Sequence, residues 1–396
     1  MKNRQIVRLT DKYVANTYTR FPIALVRGKG ARVWDADGKE YLDFLSGIAV
    51  NSLGHNHPAV VRALQQQARK LLHVSNLYHI ASQSELAREL CRRSFADRVF
   101  FCNSGAEANE AAIKLVRRYG AEWLGGKYEI LSTHNSFHGR TLATLAATGQ
   151  EKVRAGYDPL PAGFRQVPYN DLKAVEEAID QMTTAAILVE PIQGEGGVTV
   201  PAQGYLRGLR ELCDKRDILL VFDEVQVGMG RTGKLFAYEH FGVEPDIMTL
   251  AKALGGGLPL GAMLAKEKVA RSFVPGTHAS TFGGNPLACS VGLAVLKTLL
   301  QGSALKNCVK MGKLLFDGLQ ALKDRFPFVR EVRGKGLILG MEIEQDGSKI
   351  VEGCLQEGLL INCTGHKVLR FLPPLTVGKK EIDRGLTILE KVLGNR

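Results

Sequence analysis

The sequence predicts an α/β fold, a largely parallel sheet with helices on both faces, followed by a smaller α+β domain. Two observations carry this prediction. From Gln65 to about Pro275, short apolar runs alternate with segments of helical periodicity, the pattern of strands joined by crossover helices. Beyond Asn285 a long helical stretch comes first and strands follow, which calls for a second unit of different build. A chain of 396 residues suits one large and one modest domain.

In chain order, residues 1–60 form a segment with an Asp35-Ala36-Asp37-Gly38 turn between Val33-Trp34 and Tyr41-Leu42. This segment is expected to pack with the smaller domain. Residues 61–285 make up the large domain. Its strands are expected at Arg98–Cys102, Glu129–Ser132, Ala185–Glu190, Ile218–Phe222 and Ile247–Leu250, because these are short apolar runs bounded by turn residues. Helical spacing marks Ala106–Tyr119, Leu172–Gln181 and Tyr205–Arg216. Residues 286–396 form the smaller domain: a helical stretch from Asn285 to Leu322, strands in Val329–Glu344 and Leu369–Leu372, and a closing helix from Lys380 to Leu393.

Composition narrows the class. With 45% hydrophobic and 23% charged residues, the chain has ordinary globular make-up and can bury a core without staples. Seven cysteines are scattered with no CxxC pair, which speaks against a zinc ribbon or a disulfide framework and for a reducing cytoplasm. Met1 to Val14 lacks an apolar core, so no signal peptide is expected. No apolar run is long enough to span a bilayer. The net charge of +12 is spread along the chain. Nucleic-acid binding needs basic clusters beside stacking aromatics; a diffuse positive field suits small anionic substrates better.

Ligands of open parallel sheets sit at the carboxyl ends of the strands, so strand ends are where chemistry is sought. The run Ile218–Phe222 ends in Asp223-Glu224-Val225-Gln226. A magnesium-binding strand of a P-loop ATPase looks similar, and Gly228 to Lys234 spells GxxxxGK. However, Leu235 stands where a Ser or Thr hydroxyl is required, and residues 223–226 separate the loop from its strand. One strand later, Ile247–Leu250 leads to Lys252 and the glycines Gly255-Gly256-Gly257. Alone, such a lysine is a surface residue; set one strand after Asp223, it faces the same edge. A third strand end runs into Ser104-Gly105-Ala106-Glu107. This is a capping box, and its free N–H groups also make an anion site. His55-Asn56-His57 and His134…His138 have no carboxylate or cysteine partner nearby in sequence, so no metal is expected.

These three motifs appear in order together with Tyr18, Gly28-Lys29-Gly30, Gly54-His55-Asn56-His57-Pro58, Phe137-His138-Gly139-Arg140-Thr141, Glu190-Pro191-Ile192-Gln193-Gly194-Glu195, Thr281-Phe282-Gly283-Gly284-Asn285-Pro286 and Arg370. In this the chain resembles, over essentially its whole length, the class III (ω-amino) aminotransferases of pyridoxal-phosphate (PLP) fold type I. Within that family it most resembles those acting on acetylornithine. The resemblance implies a mostly parallel seven-stranded sheet in the large domain, and a smaller α+β domain built from the C-terminal part and the N-terminal segment. It implies pyridoxal 5′-phosphate as cofactor, attached to Lys252, with Asp223 opposite the pyridine nitrogen. Ser104, Gly105 and Ala106 would take the phosphate. Phe137 would stack on one ring face and Val225 cover the other, with Glu224 in the same cofactor-binding run and Gln226 near the ring hydroxyl. Taken alone, Phe137 reads as a core aromatic and Arg140 as a surface ion-pair partner.

Further roles come only with the family. Arg140 would hold the substrate α-carboxylate by a bidentate pair, with Tyr18 also on the substrate side. Ser280 and Thr281 would reach the neighbouring subunit's site, Thr281 on its phosphate, which implies a homodimer with shared active sites. Glu195 would neutralise Arg370 while the ω-amine substrate is bound, then swing away so that Arg370 accepts a carboxylate. The implied reaction moves the ω-amine of N-acetylornithine to 2-oxoglutarate, giving N-acetylglutamate semialdehyde and glutamate in arginine biosynthesis. Ornithine aminotransferases carry a tyrosine near the stretch that is Ser46-Gly47-Ile48 here, which disfavours free ornithine. N-Succinylornithine, N-succinyl-diaminopimelate and 4-aminobutyrate stay open as donors.

Overall fold

The computed structural model describes residues 1–395. The N-terminal strands β1 (Leu25–Lys29), β2 (Arg32–Asp35) and β3 (Glu40–Asp43) form an antiparallel ribbon. The expected turn joins the last two. Asp35 Oδ1 accepts hydrogen bonds from the backbone N–H of Asp37 (3.0 Å) and Lys39 (2.9 Å), and Gly38 takes the left-handed conformation at φ 92°. A short carboxylate folding back on its own backbone explains why Asp and Gly sit there.

The large sheet holds β4 (Arg98–Cys102), β5 (Glu129–Thr133), β6 (Phe164–Val167), β7 (Thr184–Val189), β8 (Leu219–Asp223), β9 (Ile247–Leu250) and β10 (Gly261–Ala265). Their order across the sheet is β4-β10-β9-β8-β7-β5-β6, with β10 antiparallel to both neighbours and the other pairings parallel. It is therefore a mostly parallel seven-stranded sheet. Every residue of β7, β8 and β9 is buried, as strands covered on both faces require, so their sequences read as unbroken apolar runs. Helix Gly105–Trp123 covers the sheet with Ala108, Ala111, Ala112, Leu115 and Val116, the i, i+3/i+4 stripe of an amphipathic helix. Because all strands but β10 run the same way, Cys102, Asp223 and Leu250 end on one edge.

Two strands of this sheet lie outside the sequence expectation. Phe164–Val167 is an edge strand pairing on one side only and alternates weakly. Gly261–Ala265 has no β-branched or aromatic residue, so nothing local marks it as a strand. The stretch expected to be helical from Asn285 to Leu322 forms two helices, Pro286–Gln301 and Ala304–Arg325, bent by 68°. Gly302 between them is extended, and a glycine after the last apolar turn is a stop signal. Asn285 caps the first of these helices, its side chain accepting from Ala288 N–H at 2.9 Å, with Pro286 at the first helical position.

Near the C-terminus lie β11 (Val329–Lys335), β12 (Ile338–Ile343), β13 (Leu359–Leu360), β14 (Asn362–Thr364) and β15 (Val368–Phe371), with helix Lys379–Gly394 closing the chain. The order β11-β12-β15-β14 is antiparallel throughout. Val329–Glu344 thus resolves into a hairpin turning at Gly336, φ 59°. β13 leaves this sheet and pairs in parallel with β3, so the N-terminal ribbon is completed by a C-terminal strand. Among the described residues no single helix is long and apolar enough to cross a membrane.

Candidate active site

A cavity of about 450 Å³ opens at the carboxyl edge of the large sheet. Asp223 is the last residue of β8 and 4% exposed. Its Oδ2 accepts from Asn109 Nδ2 at 2.7 Å and faces His138 Nδ1 at 2.8 Å; its Oδ1 accepts from Val225 N–H at 3.0 Å. Asn109 is itself oriented, its Oδ1 accepting from Thr249 Oγ1 (2.8 Å) while its Nδ2 also donates to the His138 carbonyl (2.8 Å). With a carboxylate opposite, the His138 proton sits on Nδ1. A carboxylate offers about four acceptor positions, and three are used, which leaves one for the cavity.

Lys252 lines the same space as Asp223. β9 ends at Leu250, and the backbone then turns sharply, with Lys252 in the left-handed region at φ 45°. That conformation costs a non-glycine residue about 1–2 kcal/mol, and such strain gathers at functional positions. Burial pushes the Lys252 amine below its ordinary pKa, helped by Arg370 and opposed by Glu195, Asp223 and Glu190. The amine is thereby biased toward its neutral, nucleophilic form.

The third wall is the start of helix Gly105–Trp123. Ser104 caps it, its Oγ accepting from Glu107 N–H at 3.1 Å, and Glu107 returns the favour by accepting from Asn103 N–H at 2.7 Å. The first N–H groups of a helix have no acceptor within it, so those of Gly105 and Ala106 stay available at the cavity. A Cβ on Gly105 would fall 2.7 Å from Val225 Cγ1; only glycine lets the two walls approach this closely.

Ser104, Gly105, Ala106, Asp223 and Lys252 all line the cavity, as do Phe137, Val225, Gln226, Arg140 and Glu195. The family model for class-III aminotransferases matches residues 13–393 of the chain. The chain belongs to the class-III aminotransferases. It is 55% identical to the acetylornithine aminotransferase of Caldanaerobacter subterraneus subsp. tengcongensis, covering 98% of this chain and 99% of the relative. To the acetylornithine aminotransferase of Methanocaldococcus jannaschii it is 52% identical, over 99% and 98% of the two chains. Among solved structures, the ornithine aminotransferase of Toxoplasma gondii ME49 superposes with a TM-score of 0.96 at 35% identity, covering all of this chain and 96% of the other. Acetylornithine aminotransferase of Elizabethkingia anophelis gives 0.90 at 35% identity, with both chains fully covered.

Arg370, Glu224, Ser280, Thr281 and Tyr18, also singled out in this aminotransferase's sequence, lie outside that cavity lining. Arg370, on β15, is fully buried behind it. Its Nη1 donates to Glu195 Oε1 (2.7 Å), Gln226 Oε1 (3.0 Å) and the Gly194 carbonyl (3.2 Å), and its Nε to Asn362 Oδ1 (3.2 Å). Gln226 Nε2 also donates to Glu195 Oε1 at 3.0 Å, so its amide is committed to this pair. Burial would raise the Glu195 carboxyl, but the field of Arg370, then Lys252 and the hydrogen bonds, hold it down at about 2. Glu224 turns away from the cavity, accepting from Ala237 N–H (2.6 Å) and Tyr238 N–H (2.7 Å), and burial pushes it up to about 8. Ser280 accepts from Asn103 Nδ2 at 3.2 Å, while Thr281 and Tyr18 are exposed and line none of this space. Arg140 is exposed, its guanidinium 5.6 Å from the Phe137 ring centre.

Sequence reasoning gave no role to Asn109, His138 or Glu190. His138 and Asn109 lie 85 and 114 residues from Asp223, so no spacing points to them. Glu190 lines the cavity, its two oxygens accepting from Phe137 N–H (2.9 Å) and Gly194 N–H (3.1 Å). Burial, then the charge of Asp223, lifts its carboxyl to about 7. Of the histidines in the His55-Asn56-His57 run, His55 meets Asp43 at 2.7 Å and His57 caps the helix Pro58–Ala68.

Proposed function

We propose that the chain transfers the side-chain amine of N-acetylornithine to 2-oxoglutarate, giving N-acetylglutamate 5-semialdehyde and glutamate, as a step of arginine biosynthesis. The donor rests on the acetylornithine aminotransferases to which the chain is about half identical. The observation that most supports the chemistry is that Lys252, Asp223 and the free N–H groups of Gly105 and Ala106 share one cavity.

Pyridoxal phosphate is the cofactor typical of the family, and a second structure of the Toxoplasma gondii ornithine aminotransferase is described with partial occupancy of PLP at its active site. The residues here fit that group. A helix start without side-chain bulk at Gly105 suits a phosphate. A carboxylate with one acceptor position open suits a protonated ring nitrogen. The Phe137 ring and the Val225 methyls supply apolar walls, and Lys252 supplies the amine for attachment. When bound, the cofactor supplies the electron sink that lets a proton leave the carbon bearing the donor's amine.

The chain's own residues do the rest. Lys252 would hold the cofactor through its amine and, with the donor amine in its place, would carry the proton from the donor carbon to the cofactor as general base and then acid. Asp223, fixed by Asn109, His138 and Val225, holds its charge where the positive ring would sit. Arg140 binds the donor α-carboxylate as a fork. With Glu195 on Arg370, no free cation confronts the donor's amine end; with Glu195 swung away, Arg370 is open to a carboxylate of 2-oxoglutarate. Thr281 and Ser280, with Tyr18, act across a homodimer, whose subunits divide into residues 1–60, 61–285 and 286–396 and work in the cytoplasm.

The test is to load purified protein with PLP, remove the excess and follow visible absorption. Loss of the band with N-acetylornithine and its return with 2-oxoglutarate is expected. Loss with ornithine, N-succinylornithine or 4-aminobutyrate alone moves the donor and keeps the reaction. No band after loading refutes the assignment.

A further inference from the structure

A second guanidinium lies buried away from the cavity. Arg231 is 0% exposed, in the loop that follows Gln226, and among the described residues it forms no ion pair with a carboxylate. Burial pushes it down to about 10, with the field of Asp43 in partial support, so at neutral pH it carries its charge into the interior. A buried charge without a counter-ion is costly unless its donors are well placed.

Three of its bonds are well placed, and each goes to a different segment. Nη1 donates to the Leu337 carbonyl (3.0 Å), one residue before β12, and to the Pro373 carbonyl (2.5 Å), two residues past the end of β15. Nη2 donates to Ser52 Oγ (3.0 Å). The Leu337 contact is reciprocal, since Leu337 N–H donates to the Arg231 carbonyl at 3.1 Å. Close packing reinforces it: a Cβ on Gly336 would fall 2.6 Å from the Thr232 carbonyl carbon.

What these segments carry gives the contacts meaning. β12 and β15 pair with Gly340 opposite Arg370, so Leu337 and Pro373 fix the strands that hold the Arg370 guanidinium. Ser52 Oγ passes its own hydrogen on to the Ala49 carbonyl at 3.3 Å. Ser46, Gly47, Ile48 and Ala49 all have φ between 50° and 63°, a left-handed run that L side chains disfavour and that must be held by its surroundings. It leads directly into Val50, a wall of the cavity.

We propose that Arg231 is a positioning residue for substrate recognition: one guanidinium sets the Arg370 strand and the Ser46–Val50 turn at a fixed distance from the end of β8 at Asp223 and the Gln226 that follows it. The inference rests on the reading of Arg370 as the site for a carboxylate of 2-oxoglutarate. It separates two effects. Arg231→Lys keeps the charge but cannot reach three acceptors at once, so it loosens the Arg370 strand. Ser52→Ala removes only the arm to the left-handed turn.

The test measures KM and kcat for both substrates in the PLP-loaded enzyme, with thermal stability alongside. Arg231→Lys is expected to raise the KM for 2-oxoglutarate about tenfold or more, since misplacement by about 1 Å can cost about 10²-fold, with kcat within about threefold. Ser52→Ala is expected to raise the donor KM by about threefold or more, the loss of one modest hydrogen bond, and to leave that of 2-oxoglutarate alone. A fall in thermal stability with both KM values unmoved overturns the proposal, because a purely structural weld would behave so. If Arg231→Lys does not fold, Ser52→Ala decides, and an unchanged donor KM overturns the proposal. If Arg370→Ala leaves the 2-oxoglutarate KM where it was, the reading of Arg370 has failed instead, and the Ser52→Ala arm again decides for Arg231.

Discussion

If Arg370 takes a carboxylate of 2-oxoglutarate, as proposed, Glu195→Gln is expected to separate the two halves of the reaction. The carboxyl sits 2.7 Å from Arg370 Nη1 and is held at about 2 where an unperturbed glutamate has 4.5. At neutral pH that difference corresponds to ~3 kcal/mol of stabilisation of the charged form, shared between Arg370, Lys252 and the Gln226 amide. For 2-oxoglutarate to use Arg370, this pair must open. The glutamine variant keeps the size and the hydrogen bonds but removes the charge, so most of the opening cost disappears. Recovering about 1.5–3 kcal/mol lowers the KM for 2-oxoglutarate roughly 10- to 10²-fold. The donor half moves the other way, because its amine end now meets an uncompensated guanidinium; a fall of about tenfold in kcat/KM is expected. Single-turnover stopped-flow of each half, following the cofactor's absorbance, reads the two effects separately. Both half-reactions unchanged, or both reduced by the same factor, would refute the reasoning.

Asp223→Ala removes the charge that three hydrogen bonds hold in place; kcat should drop by about 10²-fold or more, measured at saturating substrates, and near-normal turnover would count against its role. Gly105→Ala drives a methyl to 2.7 Å from Val225, so PLP titration should show affinity weakened about tenfold. The same variant at normal affinity would mean that the helix start is not the phosphate site. The acid limb of stability should also report Glu195. A carboxyl depressed on folding contributes stability above about 4.5 that is lost as pH falls toward about 2. Thermal melts of Glu195→Gln should therefore depend less on pH across that window than those of the unaltered protein.

Where the chain is locally explicit, the fold was legible. β4 and β9 have the bounds their apolar runs suggested, and the Asp35–Gly38 turn forms as its residues demand. β10 escaped because Gly261-Ala262-Met263-Leu264-Ala265 gains its strand conformation from β4 and β9 on either side, not from its own side chains. The bend at Gly302 was written in the sequence but masked by continuous apolar periodicity around it. In the site, Asp223, Lys252 and Gly105 were legible because each sits at a strand end or helix start. The hydrogen-bond chain from Thr249 through Asn109 to Asp223 was not, since it exists only once β8, β9 and the helix from Gly105 are brought together.

The pairing of β3 with β13 has a consequence for how the molecule is made. Leu42 meets Leu359 across that ladder, so one flank of the N-terminal ribbon waits for a strand some 317 residues later. At about 5–20 residues per second of synthesis, β3 leaves the ribosome roughly 15–60 s before its neighbour. Throughout that interval its backbone edge is unprotected and open to another strand. A nascent chain of this protein thus carries an open strand edge within its first fifty or so residues until β13 is made, and a chaperone that shields them would act where the topology is slowest to close.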